Sequence, residues 1–432
     1  MMEEKVLHID LDVATGTGLS CDGHRTLRLQ DGAGGYAPEG ECLSAVVDTA
    51  LHERVSLQWI EQWTAPQQWR KHPANPVYGP HRSGAWDTWT NGVSIVLCPD
   101  GKTYRMFYAG QDGEGIGFAE ASVDDPITWN EAAVSPVLRP RADNWEGNRI
   151  NQPRVVVVSP DHWRMYYTGW GCSGGGSPWA MGVAESFDGG VTWERRGDDP
   201  ILDRGDPGSP DGGGACVPMV LRVDGRWMMW YTAGVINPEG HTQIHLCLAV
   251  SEDGLCWRKH EGNPVLGDDF SDNPARSVTS RCYVRHDDGV FRMWYSYARP
   301  KYEIRYAESL NGIDWTQSPI TPVLGPSSAP AWDDDIVEYP EVQIVDGVFR
   351  LWFCGNGYGS VGYAEGVPET GVDIVHRSGA THTPDETWTD WMAGDRSQMV
   401  VVSQFMQVRA RLWSKNSLLS PALSDIRIHL ET

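Results

Sequence analysis

Five acidic residues recur at one place in a repeating chain: Asp87, Glu146, Asp211, Asp272 and Asp333. Each stands six or seven residues before a reference position, Val93, Pro153, Pro218, Thr279 or Pro340, within a strand-like run. An acid at all five places is expected to support a loop or turn. A ring of carboxylates at one mouth can nonetheless supply one or two members of an acid–base pair. Two residues before the same reference positions the chain varies, with Asn91, Asn151, Cys216, Ser277 and Glu338. Only the last is a carboxylate. A residue found in every repeat serves the repeat, whereas a polar residue found in one repeat needs another explanation. For Glu338 the structural alternative is a hydrogen bond to a neighbouring repeat.

Other polar residues break the pattern as well. Arg154 and Glu341 share an aligned position at which the other repeats have Ser94, Met219 and Ser280. Trp89 and Asn91 precede the first reference position, and Asn151 the second. The loops after a recurring aromatic strand add Gln111, Asp112, Trp170, His241, Arg299, Tyr302 and the run Asn356-Gly357-Tyr358-Gly359. Rings beside amides and charges suit sugars, whose apolar faces stack while their hydroxyls take hydrogen bonds. Trp89, Asn91, Asn151, Arg154, Trp170, His241, Arg299, Glu341, Asn356 and Tyr358 are therefore the candidate substrate contacts. The glycine-rich stretch 171–176 lacks the Lys-Ser/Thr of a phosphate loop and reads as a rim loop.

Composition narrows the partners. Against 35 Lys and Arg stand 58 Asp and Glu, a net charge of −23, which repels nucleic acid and anionic lipid. No apolar run approaches the ~20 residues that cross a bilayer, so a soluble protein is expected. The start, Met-Met-Glu-Glu-Lys, has neither a basic nor an apolar leader region, which fits the cytoplasm or a secreted protein already trimmed. Nine cysteines, none in Cys-x-x-Cys spacing, argue for reduced thiols rather than a disulfide framework or a zinc knuckle. No cofactor is called for, a structural or axial calcium ion is left open, and the oligomeric state is not legible.

The elements that must position these residues follow from an internal repeat. Asn75-Pro76-Val77-Tyr78, Ser135-Pro136-Val137-Leu138, Asp199-Pro200-Ile201-Leu202, Asn263-Pro264-Val265-Leu266 and Thr321-Pro322-Val323-Leu324 recur at spacings of 60, 64, 64 and 58 residues. A tryptophan precedes each: Trp69, Trp129, Trp193, Trp257 and Trp315. Asp/Asn-Gly turns such as Ser251-Glu252-Asp253-Gly254 come before it, the residue pair that hairpins with positive φ demand. Alternating aromatic segments begin at Tyr104, Trp163, Trp227, Phe291 and Phe349 and read as strands. A unit is thus four strands: an inner one, the aromatic one, a Gly-x-Ala-Glu strand, and an outer strand running from the Trp to the Pro-Val-Leu. Repeated radially, such units form a β-propeller of five blades. The first outer strand, 68–78, precedes every inner strand, and the last unit has none. The orphan is expected to pair with 361–365 and close the ring.

The flanks, 1–66 and 367–432, are strand-like too. They resemble two halves of one β-sandwich module often attached to bacterial carbohydrate-active proteins, through Ser44 to Asp48, Trp388-Thr389-Asp390-Trp391 and Gln407-Val408-Arg409, with Ala45 in place of the module's proline. The expected architecture is all-β, a five-bladed propeller over 67–366 inserted in that sandwich.

The Ser-x-Asp-Gly-x-x-Trp and Asn-Pro-Val-Leu elements and the Met-x-Tyr strands resemble the five-bladed glycoside hydrolases of families 43, 62, 32 and their relatives over residues 68–366. Ser186-Phe187-Asp188-Gly189-Gly190-Val191-Thr192-Trp193 also fits the Asp-box of sialidases, a hairpin of many propellers; five units and no arginine triad count against a sialidase. The resemblance implies a general acid in Glu-x-Pro, which falls on Glu338. It implies a base or nucleophile in an Asp-Pro at the first inner strand, where this chain has Asn91-Gly92-Val93-Ser94. Asp87 is the nearest substitute, and Glu146, Asp211 and Asp333 are further candidates. The implied activity is glycoside hydrolysis of an oligosaccharide or glycoside, possibly a furanoside or anhydro-sugar, by paired carboxylates in an axial pocket. The alternatives are a non-catalytic carbohydrate-binding propeller and a glycoside phosphorylase or transglycosylase, for which Arg154, Arg281 and His241 would hold phosphate.

Overall fold

The computed structural model describes residues 5–9, 19–21, 27–32, 35–49, 54–79, 86–110, 113–171, 179–236, 242–267, 278–298, 300–396 and 400–430. The chain divides into two compact units, Gln68–Arg285 with Phe291–Gly366, and Met1–Gln67 with His286–Val290 and Val367–Thr432. No α-helix occurs among the described residues, and no helix there is long and apolar enough to cross a membrane.

The larger unit is a β-propeller of five antiparallel blades. Blade one is Asn91–Leu97, Thr103–Ala109, Ile116–Ser122 and Asp125–Glu131, and blade two is Ile150–Val157, Trp163–Gly169, Ala180–Ser186 and Glu194–Arg195. Blade three is Gly214–Val223, Arg226–Ile236, Thr242–Ser251 and Arg258–Lys259, and blade four is Val278–Asp287, Val290–Ala298, Tyr302–Ser309 and Thr316–Gln317. Blade five joins Glu338–Val345, Val348–Cys354 and Val361–Gly366 to Trp69–Lys71 from the other end of the sequence. Gly366 pairs with Trp69, Glu365 with Arg70 and Ala364 with Lys71, so the N-terminal orphan completes the fifth blade as the repeat predicts.

The outer strands depart from expectation. They do not run unbroken from the Trp to the Pro-Val-Leu. In blades two to four a ladder of two residues follows the Trp and in blade five one of three residues begins at it, and a separate bridge is made at the last residue of the Pro motif, at Leu202, Leu266, Leu324 and Tyr78. The ladders end five residues before each proline, at Arg195, Lys259, Gln317 and Lys71, and the chain rejoins the sheet two residues after Pro200, Pro264, Pro322 and Pro76.

The two aromatic repeats meet between blades rather than within them. The fourth residue of each aromatic strand, Phe107, Tyr166, Trp230, Trp294 and Trp352, meets Trp193, Trp257, Trp315, Trp69 and Trp129 of the next blade. Centroids lie 5.7–6.2 Å apart with planes at 75–88°. Such edge-to-face pairs are worth ~0.5–1.5 kcal/mol each beyond their burial. One of them, Trp294 with Trp69, fastens the closing strand.

In the smaller unit the two ends of the chain share sheets. Ala422–Leu430 pairs with Arg54–Gln62, Leu27–Leu29 and Lys5–His8, while Phe405–Ser414 lies between Thr370–Gly379 and Glu39–Leu43. Alternation sends Met406, Val408, Ala410 and Leu412 into one core with Val55, Leu57, Ile426 and Ile428. Arg377 and Arg409 lie 4.6 and 4.5 Å from the Trp391 ring centre. No disulfide joins the described cysteines; Cys216, Cys247, Cys282 and Cys354 are buried, whereas Cys256 is exposed.

Candidate active site

The inner strands carry a bulge at the residues singled out by the repeat. Register shifts between Asn91 and Ser94, Asn151 and Arg154, Cys216 and Met219, and Glu338 and Glu341. Gly92, Gln152, Val217 and Tyr339 there adopt φ of 61°, 51°, 55° and 57°. Glycine adopts this region freely, but a β-branched valine does so only when the surroundings impose it. At Gly92 a Cβ would also stand 2.9 Å from the Gln152 Cα. The bulges re-aim side chains at one end of the inner strands.

Blade five brings two buried carboxyls to this network. Glu341 Oε2 accepts the Ile95 N–H at 3.1 Å and lies 3.2 Å from Arg154 Nη1; its Oε1 lies 3.3 Å from Arg281 Nη2. Blades one, two, four and five thus meet on one side chain. Burial raises the Glu341 pKa against the pull of both guanidiniums. Arg281 also donates to the Val93 carbonyl and sits 5.0 Å from the Tyr339 ring centre. Glu338 is 1% exposed, and its Oε1 has no hydrogen-bond partner among the described residues. Burial pushes its carboxyl up to about 8 against the opposing charge of Arg281. It therefore holds its proton at neutral pH.

Beside these groups, between blades one and two, lies a cavity of about 230 Å³ walled by Trp89, Asn91, Ala109, Arg149, Asn151, Gln152, Trp170 and Tyr339. Glu338 is not on its wall, but the adjacent Tyr339 is. Trp170 Nε1 donates to Asn151 Oδ1 at 2.9 Å, and Trp89 Nε1 donates to the Gly357 carbonyl. Asn91 Oδ1 and Gln152 Oε1 are buried without a hydrogen-bond partner among the described residues. Four expected contacts, Trp89, Asn91, Asn151 and Trp170, are thus gathered on one wall.

The recurring acids have a different place. Glu146 takes the Tyr167 hydroxyl at 2.8 Å and the Arg195 Nε at 2.6 Å; Asp211 takes the Tyr231 hydroxyl at 2.9 Å and Lys259 Nζ at 2.5 Å. Asp333 binds Lys71 Nζ at 2.5 Å, and Phe353 stands where the tyrosine would be. Asp87 takes the Tyr108 hydroxyl at 3.0 Å, with Glu131 in the place of the base. Trp86, Trp145 and Trp332 stack on the same Tyr108, Tyr167 and Phe353 rings, which explains their pairing with an acid in the sequence. Asp87, Glu146 and Asp211 are staples from the approach loop to the second strand, and Glu146, Asp211 and Asp333 are staples to the outer strand. Asp87 and Asp211, expected as catalytic carboxylates, belong to these staples and do not line the cavity.

Asn356 is likewise corrected. Its Oδ1 accepts the Asp335 and Ile336 N–H groups at 3.0 and 2.8 Å and its Nδ2 donates to Asp334 at 2.7 Å, so it ties a loop of blade five. Arg154 and Glu341 bind each other across blades. His241, Arg299, Asp272, Ser277, Gln111, Asp112 and the side chain of Tyr358 lie outside the described residues. Among the described residues no cluster of His, Cys, Asp and Glu suits a metal ion. Ala109, Gln152, Arg149 and Tyr339 escaped the sequence reading; for Gln152 and Tyr339 the signal was their place just before the prolines of Asn151-Gln152-Pro153 and Glu338-Tyr339-Pro340.

The propeller fold is shared with solved glycoside hydrolases. One glycoside hydrolase is 19% identical, with TM-score 0.53 over 74% of this chain and 92% of its own. A thermostable family-43 glycoside hydrolase is 17% identical, with TM-score 0.51 over 64% and 88%. A GH130 structure, from a family described as mannoside phosphorylases containing glycoside hydrolases for β-1,2 mannosidic linkages in Candida mannan, is 16% identical, with TM-score 0.54 over 72% and 97%. At these identities the likeness is one of fold. No family model matches the chain. In sequence it is 31% identical over 320 residues to Uncharacterized protein Rv1502 of Mycobacterium tuberculosis strain H37Rv, and 30% identical to Uncharacterized protein MT1551 of strain CDC 1551. Each match covers 70% of this chain and 99% of the mycobacterial protein, so the chain belongs to the family of these two proteins.

Proposed function

We propose that the propeller acts on a glycosidic bond, with Glu338 as the general acid. The observation that carries this reading is the buried Glu338 carboxyl, protonated at neutral pH and with its Oε1 lacking a hydrogen-bond partner among the described residues, in the one blade with an acid at the bulge. A carboxyl that keeps its proton at neutral pH is what leaving-group protonation requires. Glu338 passes its proton to the glycosidic oxygen, the bond from that oxygen to the anomeric carbon breaks, a nucleophile adds at that carbon, and the carboxylate regains a proton from solvent. The neighbouring Glu341 is engaged by Arg154, Arg281 and the Ile95 N–H, which suits it to holding Arg281 beside Glu338 rather than to activating water.

Phosphorolysis is the second reading. Arg281 Nη1 is buried without a partner among the described residues, and inorganic phosphate needs no protein base to attack. The substrate would be an oligosaccharide or simple glycoside. Incubation with aryl glycosides and a glycan library, with and without phosphate, followed by anomer-resolved NMR, separates the two. Glu338→Gln is expected to abolish cleavage of natural glycans and to spare activated aryl glycosides, which need little protonation. Full activity of Glu338→Gln on natural glycans would overturn the assignment.

A further inference from the structure

The propeller is clamped between blades from one repeated position, by a hydroxyl at three junctions and by the Cys354 thiol against the backbone of Gly92 and Val93 at a fourth, and the fifth has neither. The residue after the aromatic of each second strand is Ala109, Thr168, Thr232, Ser296 or Cys354. Thr168 Oγ1 accepts the Val217 N–H at 2.9 Å, Thr232 Oγ1 the Arg281 N–H at 3.0 Å and Ser296 Oγ the Tyr339 N–H at 3.0 Å, each reaching the next blade's inner strand. Ala109 has no hydroxyl to offer blade two, and it is Ala109 that walls the cavity between blades one and two.

We propose that Ala109 is the specificity-determining residue of a subsite for one neutral sugar ring, made where the inter-blade clamp has been given up. This rests on the reading of the propeller as a carbohydrate enzyme. The volume is below the ~300–1,000 Å³ of pockets for drug-sized ligands and matches a single ring. The orphan atoms, Asn91 Oδ1 and Gln152 Oε1, are acceptors, and Gln152 is 6% exposed. A ligand that satisfies them must donate, as hydroxyls do and as carboxylate or phosphate oxygens cannot. Trp170, steadied by Asn151, offers a ring to the same space.

The test is saturation-transfer NMR with methyl glycosides of glucose, galactose, mannose and arabinose, and with glucuronate and glucose 6-phosphate as anionic probes. At least one methyl glycoside is expected to bind. Ala109→Thr, which installs the clamp and fills the space, is expected to weaken it about tenfold or more without lowering Tm. Ala109→Ser is expected to weaken it less, and serves alone if the threonine variant does not fold. Gln152→Ala is expected to weaken the same probe. The proposal is overturned if no methyl glycoside binds, if both Ala109 variants bind like the parent, or if the anionic sugars bind more tightly, since Arg149 would then govern the pocket. Binding lost in Ala109→Thr with no glycosidic cleavage by the parent sinks the catalytic reading and leaves the subsite standing. Cleavage that needs Glu338 but has an unchanged KM in Ala109→Thr does the reverse.

Discussion

Replacing Glu338 by Gln should stabilise the propeller, and by an amount that depends on pH. In the unfolded chain the carboxyl titrates at its ordinary 4.5; in the folded protein burial moves it to about 8. Between those values the unfolded state sheds a proton that the folded state keeps, so stability falls as pH rises, by ~1.4 kcal/mol per pH unit. The penalty is absent below pH 4.5, reaches roughly 3 kcal/mol at pH 7, and levels off near 4–5 kcal/mol above pH 8. Glutamine carries no such proton. Thermal unfolding of parent and variant from pH 4.5 to 9 reads this directly, at roughly 2 °C per kcal/mol for a domain of this size. The Tm difference is expected to grow by on the order of 5–10 °C from the acidic to the basic end. Any constant offset from the new amide cancels in that slope. A Tm difference that does not change with pH would refute the buried, protonated carboxyl and the proton donor built on it.

Three other expectations can be checked alongside. Lys71→Met leaves the buried Asp333 unpaired and should cost about 3–5 kcal/mol in urea unfolding, whereas Lys71→Arg should recover most of it. Asp87→Asn and Asp211→Asn should lower Tm while leaving turnover of aryl glycosides in place; turnover lost at unchanged Tm would return either residue to the chemistry. Removing residues 416–432 deletes Ala422–Leu430, the partner of three N-terminal strands, so limited proteolysis should then cleave within 1–66; protection there would count against a shared sandwich.

The propeller was legible because each blade writes the same turn, tryptophan and proline, and because the closing strand was visibly unpaired. The break in the outer strands was less so, since no recurring residue marks where each ladder ends, five residues before its proline. The staples were half legible. The five acids stood out, but their bases do not sit near them in sequence: Arg195 lies beyond a whole hairpin from Glu146, and Lys71 reaches Asp333 only after the ring has closed. Glu338 was conspicuous because it breaks the repeat. Ala109 was not, because an absent hydroxyl carries no signal until the hydrogen bonds of Thr168, Thr232 and Ser296 reveal what is missing.

The pairing of Trp69–Lys71 with Val361–Gly366 also sets an order of assembly during synthesis. The ribosome makes the closing strand before any blade and its partner after all the others, so the last blade stays open until residue 366 has emerged. The sheets that join 54–62 to 422–430 wait longer still. A nascent or truncated chain therefore presents an unpaired outer strand and an unpaired blade edge together, each a template for a neighbouring copy. Crowded polysomes translating this message are where strand exchange between chains can occur, with one molecule's residues 69–71 completing the fifth blade of another.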